Sequence, residues 1–126
     1  MIQGLSEAKP ALLALHKALV DAERETYERE HGPLRSPHQF LQLLVNDEQF
    51  AWMRELSQII VCMDEAEDAK EPPADEEVRG LLKAALQLLT ASPDEAGFGP
   101  HYRESLQRYP DVVLAHAQAL KSLRGQ

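Results

Sequence analysis

The sequence predicts an all-α protein, a compact bundle of five to six helices in one domain spanning residues 1–126. Leu and Ala account for 35 of the 126 residues, whereas Val, Ile and Thr together account for 11. Straight-chain and small residues favour helices, and β-branched residues favour strands. Apolar residues also recur at spacings of three and four, and proline and glycine divide the chain into helix-length segments.

The first helix is predicted to begin between Ser6 and Pro10 and to end near Glu30, because proline is tolerated in a first turn. The sequence His31-Gly32-Pro33 ends it, since glycine suits the position after a helix and proline cannot continue one. Two adjoining stripes run along this helix: Leu12, Leu15, Leu19, Ala22 and Thr26, and next to them Leu13, His16, Val20, Glu23 and Tyr27.

Two further helices follow in the predicted order. Ser36 is the expected N-cap of the second helix, with Pro37 in its first turn and Gln39 at the third position of a capping box. Asn46 is the expected N-cap of the third helix, which should extend to about Asp64–Asp68. The inward face of the third helix is Trp52, Met53, Leu56, Ile59, Ile60 and Met63.

Prolines and glycines also delimit the second half of the chain. Asp75 should cap a fourth helix after Pro72-Pro73. Ser92–Glu95 form another capping box, but Gly97 and Gly99 allow no more than a turn there. A fifth helix begins near Pro100 and is kinked or restarted at Pro110, because a proline inside a helix costs ~3 kcal/mol. The residues predicted to be buried in the last segment are Val112, Val113, Ala117 and Leu120, with His116 among them.

A polar row is the first candidate site. His16, Glu23 and Tyr27 lie above one another on helix one, and Arg54 and Ser57 flank the apolar stripe of helix three. A carboxylate beside an apolar core needs a partner, and Arg54 is the predicted partner of Glu23. The cluster is interpreted either as structural, at the margin of the core, or as a ligand or catalytic pocket.

The sequence predicts no catalytic, cofactor-binding or metal-binding residue. One Glu-x-x-His spacing, Glu28–His31, has no second copy, and the five histidines are scattered singly. Cys62 is followed by acidic residues, which oppose formation of its thiolate. No phosphate-binding loop and no nucleophile motif is present, so an enzyme ranks third among the functions considered.

Charge excludes two classes of partner. The net charge of −8 argues against a nucleic-acid-binding or membrane-surface protein, since both need a basic surface. The segment from Asp64 to Glu77 carries eight acids and one lysine. Its first four acids form a candidate acidic surface: Asp64, Glu65, Glu67 and Asp68.

These four acids fall at the C-terminal end of helix three, where the helix dipole disfavours negative charge. Three explanations stay open: early fraying of the helix, an anionic surface for a basic partner, or a weak site for a divalent ion.

Two stretches of the chain resemble a family of short, all-helical bacterial proteins without an assigned activity. The first comprises Leu15-His16 through Glu23, Tyr27-Glu28, His31-Gly32-Pro33, Phe50–Ser57 and Asp64-Glu65, and the second is Tyr109–His116. The resemblance implies a bacterial, cytoplasmic, helical protein and supplies no catalytic residue.

The function predicted from the sequence is protein–protein interaction without catalysis. The single cysteine and the lack of an export signal favour a cytoplasmic setting, and no apolar run is long enough to cross a bilayer. Ala115, Ala117 and Ala119 allow another helix to approach the last helix closely, which makes a homodimer through the C-terminal helix a reasonable expectation. The alternative is a ligand- or metal-binding bundle that uses the polar row.

Overall fold

A computed structural model describes residues 2–90 and 97–125, and this part of the chain is helical without any strand. The predicted all-α class is therefore confirmed. The helices of these residues are α1 (Ile2–His31), α2 (Pro37–Asn46), α3 (Glu48–Ala51), α4 (Arg54–Asp68), α5 (Asp75–Leu89), α6 (Phe98–Arg108) and α7 (Pro110–Leu123). The capping box predicted at residues 92–95 lies outside the described residues.

Helix α1 is the centre of the bundle and packs against α4, α5 and α7. It begins at Ile2, so the predicted start between Ser6 and Pro10 is wrong, and Pro10 lies inside the helix. Leu5 and Ala8 are completely buried. They extend the apolar stripe by two turns, and this packing outweighs the one backbone hydrogen bond that Pro10 cannot donate.

The core is formed by the stripes that helical periodicity predicts. Leu12, Leu15 and Leu19 of α1 are fully buried. From the other helices the buried residues include Leu56, Met63, Val78, Ala85, Leu89, Tyr102, Val112 and Ala119. Each buried large apolar side chain contributes about 1.5–3 kcal/mol relative to an exposed one, so these stripes hold the helices together.

The chain has seven helices in the described residues, more than the five to six predicted, because the predicted third helix is divided into α3 and α4. Phe50, Trp52 and Met53 are all buried. In a continuous helix Phe50 and Trp52 would point in nearly opposite directions, since successive residues are 100° apart. The interruption at Trp52 and Met53 allows both aromatic side chains to enter the core.

The capping predictions are confirmed at one helix and wrong by one residue at two others. Ser36 Oγ accepts from the backbone N–H of Gln39 at 3.1 Å, as predicted. Asn46 is the last residue of α2, and Asp47 caps α3 instead. The N-cap of α5 is Ala74, so Asp75 is not the cap but lies in the first turn, where its charge still favours the helix dipole.

Tyr109 separates α6 from α7. Its backbone is extended, at φ −127° and ψ 107°, and Pro110 follows as the first residue of α7. The hydroxyl groups of Tyr109 and Thr26 form a hydrogen bond that ties this joint to α1. At the other end of α6, Gly97 precedes the helix with φ 91°, in the region that favours glycine.

Helix α7 covers α1 with one face and exposes the other. Val112, Ala119 and Leu123 are buried, but Val113 is 43% exposed and Ala117 is exposed, so their predicted burial is wrong. Leu114 is 70% exposed. The sequence contains apolar residues on two sides of this helix, and among the described residues only one of these sides is buried against the other helices.

Among the described residues, no helix combines the length and the apolar character that crossing a bilayer requires.

Candidate functional site

The predicted polar row is divided among separate partners. His16 Nε2 and Ser57 Oγ are 2.8 Å apart and form a half-buried hydrogen bond between α1 and α4. Burial lowers the pKa of His16, so its imidazole is neutral at pH 7. The pair joins two packed helices at the edge of the core.

Glu23 has a different partner from the one predicted. Gln49 Nε2 donates to Glu23 Oε2 at 3.1 Å, and the predicted ion pair with Arg54 is not formed. Arg54 is exposed and its Nη2 donates to the backbone carbonyl of Val45 at 2.7 Å, at the C-terminal end of α2. The prediction assumed a continuous third helix, and the interruption at Trp52 places α3 rather than α4 beside Glu23.

Burial dominates the electrostatics of Glu23. It raises the pKa of this carboxyl group, and the hydrogen bond from Gln49 and the proximity of His101 partly offset that rise. The nearby indole N–H of Trp52 also lowers the pKa of Glu23. Its geometry does not meet the criteria for a hydrogen bond. Glu23 is therefore a half-buried carboxylate whose contacts are mainly neutral.

Tyr27 lies apart from both polar pairs. Its ring stacks on His31 with centroids 4.3 Å apart and contacts Phe50 at 6.2 Å. His31 Nδ1 is 3.2 Å from the carbonyl oxygen of Tyr27, in the last turn of α1. The five residues of the predicted row therefore do not converge on one pocket.

A small polar cleft lies between α1, α3 and α6. It is lined by Glu23, Thr26, Glu30, Gln49, His101, Glu104, Ser105, Arg108 and Tyr109. Its volume is about 190 Å³, below the roughly 300–1,000 Å³ of typical small-molecule sites. Sequence patterns did not reveal this cleft, because the residues from α6 come close to α1 only through tertiary packing.

The described residues contain no group of three or more His, Cys, Asp or Glu arranged to hold a metal ion.

The candidate acidic surface is partly neutralised by one lysine. Lys9 Nζ lies 2.7 Å from Asp64 Oδ1 and 3.1 Å from Glu67 Oε1, and these contacts raise its pKa. Glu65 and Asp68 remain exposed. Helix α4 extends through Asp68, and Lys9 of α1 compensates the charge of two of the four acids.

The outer face of α7 carries apolar residues that are exposed in the structure, two of which were predicted to be buried. Pro110, Val113, Leu114 and Ala117, which we call the α7 stripe, are all exposed and lie three or four residues apart on one side of the helix. The stripe borders a groove of about 430 Å³ that also contacts Leu106 at the end of α6. An apolar stripe of this kind is typical of a helix with a second packing partner.

Comparison with known proteins finds no matching family model, no similar curated protein and no similar solved structure. The resemblance to a bacterial helical family therefore stays a prediction, and the proposals below rest on geometry.

Proposed function

We propose that this protein is a protein-interaction module that acts as a homodimer through the α7 stripe and has no catalytic activity of its own. The predicted cytoplasmic setting is part of this proposal. The observation that carries it is the exposure of Leu114, at 70%, together with its apolar neighbours Val113 and Ala117. These residues follow the spacing of a buried helix face but have no cover within the described chain.

Charge favours a second copy as the occupant of the stripe. A two-fold interface places the same surface on both subunits, so a surface with uncompensated charge would repel itself. The chain carries −8, yet α7 contains one acid, Asp111, and one base, Lys121. Helix α7 is therefore a neutral surface on an acidic chain, which suits pairing with an identical helix.

The size of the stripe indicates a weak dimer. A helix of 14 residues is about 21 Å long, at 1.5 Å per residue. One helix pair of this length buries less than the roughly 1,600 Å² of a standard stable interface. We expect a Kd on the order of 10 µM, with monomer and dimer in exchange.

Sedimentation equilibrium over about 1–300 µM, on both sides of the expected Kd, tests the proposal. The expected result is a mass that rises from monomer to dimer. Leu114→Gln should raise the Kd at least about tenfold, because the Leu side chain loses its apolar burial in both copies.

Leu41→Gln is the matched control, since Leu41 is 54% exposed on α2, away from α7. It should leave the Kd unchanged. A monomer at every concentration, or equal weakening by both variants, would overturn the proposal.

A ligand- or metal-binding bundle is the second candidate function. One observation favours it: Glu23 lines the polar cleft and, among the described residues, forms no ion pair. Metal analysis of protein purified without a chelator tests this alternative. A stoichiometric ion would reverse the order of the two proposals.

A further inference from the structure

The residues of the α7 stripe also indicate in which orientation two copies would pack. We infer that the two α7 helices pack antiparallel about a two-fold axis, with Leu114 of each copy against Ala117 of the other and Asp111 of each copy beside Lys121 of the other. This inference rests on the proposed homodimer and adds its geometry.

The positions along the helix define the register. In an antiparallel pair, residues lie opposite each other when their numbers have a constant sum. A centre midway between Leu114 and Ala117 places these two residues opposite each other. The same centre brings Asp111 level with position 120, one residue or about 1.5 Å from Lys121, and both Asp111 and Lys121 are exposed.

Packing favours this register over a parallel one. Helices pack at axial distances of about 8–10 Å, and the shorter distances need small residues at the contact. The antiparallel pair sets the large side chain of Leu114 against the methyl group of Ala117 at two symmetrical points. A parallel pair would place two leucines at one level and two alanines at another. The leucines would hold the helices apart, and the alanines would then leave a gap between them.

Charge favours the same arrangement. The antiparallel pair brings one carboxylate next to one ammonium group at each end, through Asp111 in the first turn and Lys121 in the last turn of α7. A parallel pair would put like charges at the same level. Arg108, at the edge of the groove, lies 3.4 Å from Glu104 of its own chain, so it does not unbalance these ends.

Disulfide trapping in a Cys62→Ser background tests the orientation, since Cys62 is exposed and would otherwise react. A disulfide requires Cα atoms within about 7 Å. We expect a mixture of the Pro110→Cys and Lys121→Cys proteins to form a mixed disulfide, since these exposed positions face each other about the same centre. Each protein alone should form almost none, because its two cysteines would lie about 16 Å apart along the antiparallel pair. Leu41→Cys, mixed with either protein, measures random collision.

Efficient self-linking of Pro110→Cys would overturn the antiparallel arrangement in favour of the parallel one, in which the two copies of this residue lie at the same level. A dimer without any of these links would also overturn it, since α7 would then not be the contact. A wild-type protein that stays monomeric would instead refute the proposed homodimer itself, so the two failures are distinguishable.

Charge exchange provides a second measurement. Asp111→Lys and Lys121→Asp should each raise the Kd of the dimer by about tenfold, because each variant replaces two exposed attractions by two repulsions. The double variant Asp111→Lys/Lys121→Asp should restore the Kd to within about threefold of wild type. No recovery in the double variant would contradict the cross-subunit pairing.

Discussion

Glu23 shows how burial and charge compete at a single residue. Burial raises the pKa of this carboxyl group above its ordinary value of 4.5, so the folded state holds the proton more tightly than the unfolded state. The stabilising contribution is complete below pH 4.5 and is lost as the pH rises through the raised pKa. At pH 7 the ionised carboxylate of Glu23 therefore destabilises the fold.

Glu23→Gln should raise the Tm at pH 7 by about 2 °C, because the amide keeps the acceptor for Gln49 without the charge. The increase in Tm should disappear at pH 4. Thermal unfolding followed by circular dichroism measures both values. Glu30→Gln is the control, since Glu30 is exposed at the same cleft, and a lower Tm for Glu23→Gln at pH 7 would contradict the argument.

The two half-buried histidines have the opposite pH dependence. Burial lowers the pKa of His16, and burial together with Arg103 and Arg124 lowers the pKa of His116. The unfolded chain therefore takes up protons first as the pH falls below about 6.5, and stability is lost in that direction. Tyr102 Oη and His116 Nδ1, 2.5 Å apart, are the contact that protonation of His116 would disturb.

We expect the free energy of unfolding of the wild type to fall between about pH 7 and pH 5. His16→Gln should remove part of this slope, and adding His116→Gln should remove most of it. Urea unfolding at a series of pH values measures the slope. An unchanged slope in the double variant would show that other groups control the pH dependence.

At the level of helical elements, α2 is the least anchored. None of its residues is fully buried, and its main attachments are Phe40 against Phe50, with ring centroids 5.9 Å apart, and the guanidinium of Arg24 over the ring of Phe40. Arg54 adds a hydrogen bond to the carbonyl of Val45 at the last turn. Leu43 and Leu44, near the same end of α2, are half-buried against the core, so Arg54 adds one polar contact to this apolar packing.

Arg54→Ala should speed amide hydrogen exchange in the last turn of α2 by about two- to tenfold, since an exposed hydrogen bond of this kind contributes about 0.5–1.5 kcal/mol locally. The Tm should change by less than about 1 °C, because α2 adds little to the core. Arg79→Ala, on the exposed side of α5, is the control. Equal exchange in both variants would show that Arg54 does not anchor α2.

The helices differ in how far sequence predicts them. Periodicity identified the core stripe of α1 and the cap at Ser36 because both depend on neighbours within one helix. It did not identify the interruption at Trp52, since this depends on two aromatic side chains that need the same core. It also misassigned Val113, because a pattern shows that a face is apolar but not what covers it.

The candidate site was less predictable than the fold for a related reason. His16 and Ser57 are half-buried and form a hydrogen bond, but helical spacing carries no information on the rotation of one helix relative to another. That rotation decided that Gln49 instead of Arg54 lies beside Glu23. The residues that α6 adds to the cleft follow from packing alone.

At the level of the whole molecule, net charge opposes self-association. Each copy carries −8. Two such charges about 30 Å apart, a separation consistent with a radius of gyration of ~14 Å, repel by about 3 kcal/mol at roughly 10 mM salt and by less than about 1 kcal/mol at roughly 0.1 M. Screening weakens two exposed ion pairs by at most ~1 kcal/mol in total.

Salt therefore weakens the repulsion between the two copies by more than it weakens the ion pairs at the interface. The dimer should become tighter as the salt concentration rises. Between about 10 mM and 0.1 M NaCl we expect the Kd to fall at least about tenfold in sedimentation equilibrium. The control variant Glu76→Gln/Glu77→Gln neutralises two exposed acids on α5 and changes the net charge from −8 to −6. The Kd of this variant should depend less on salt. A Kd that rises with salt would show that the ion pairs of Asp111 and Lys121, and not the net charge, control association.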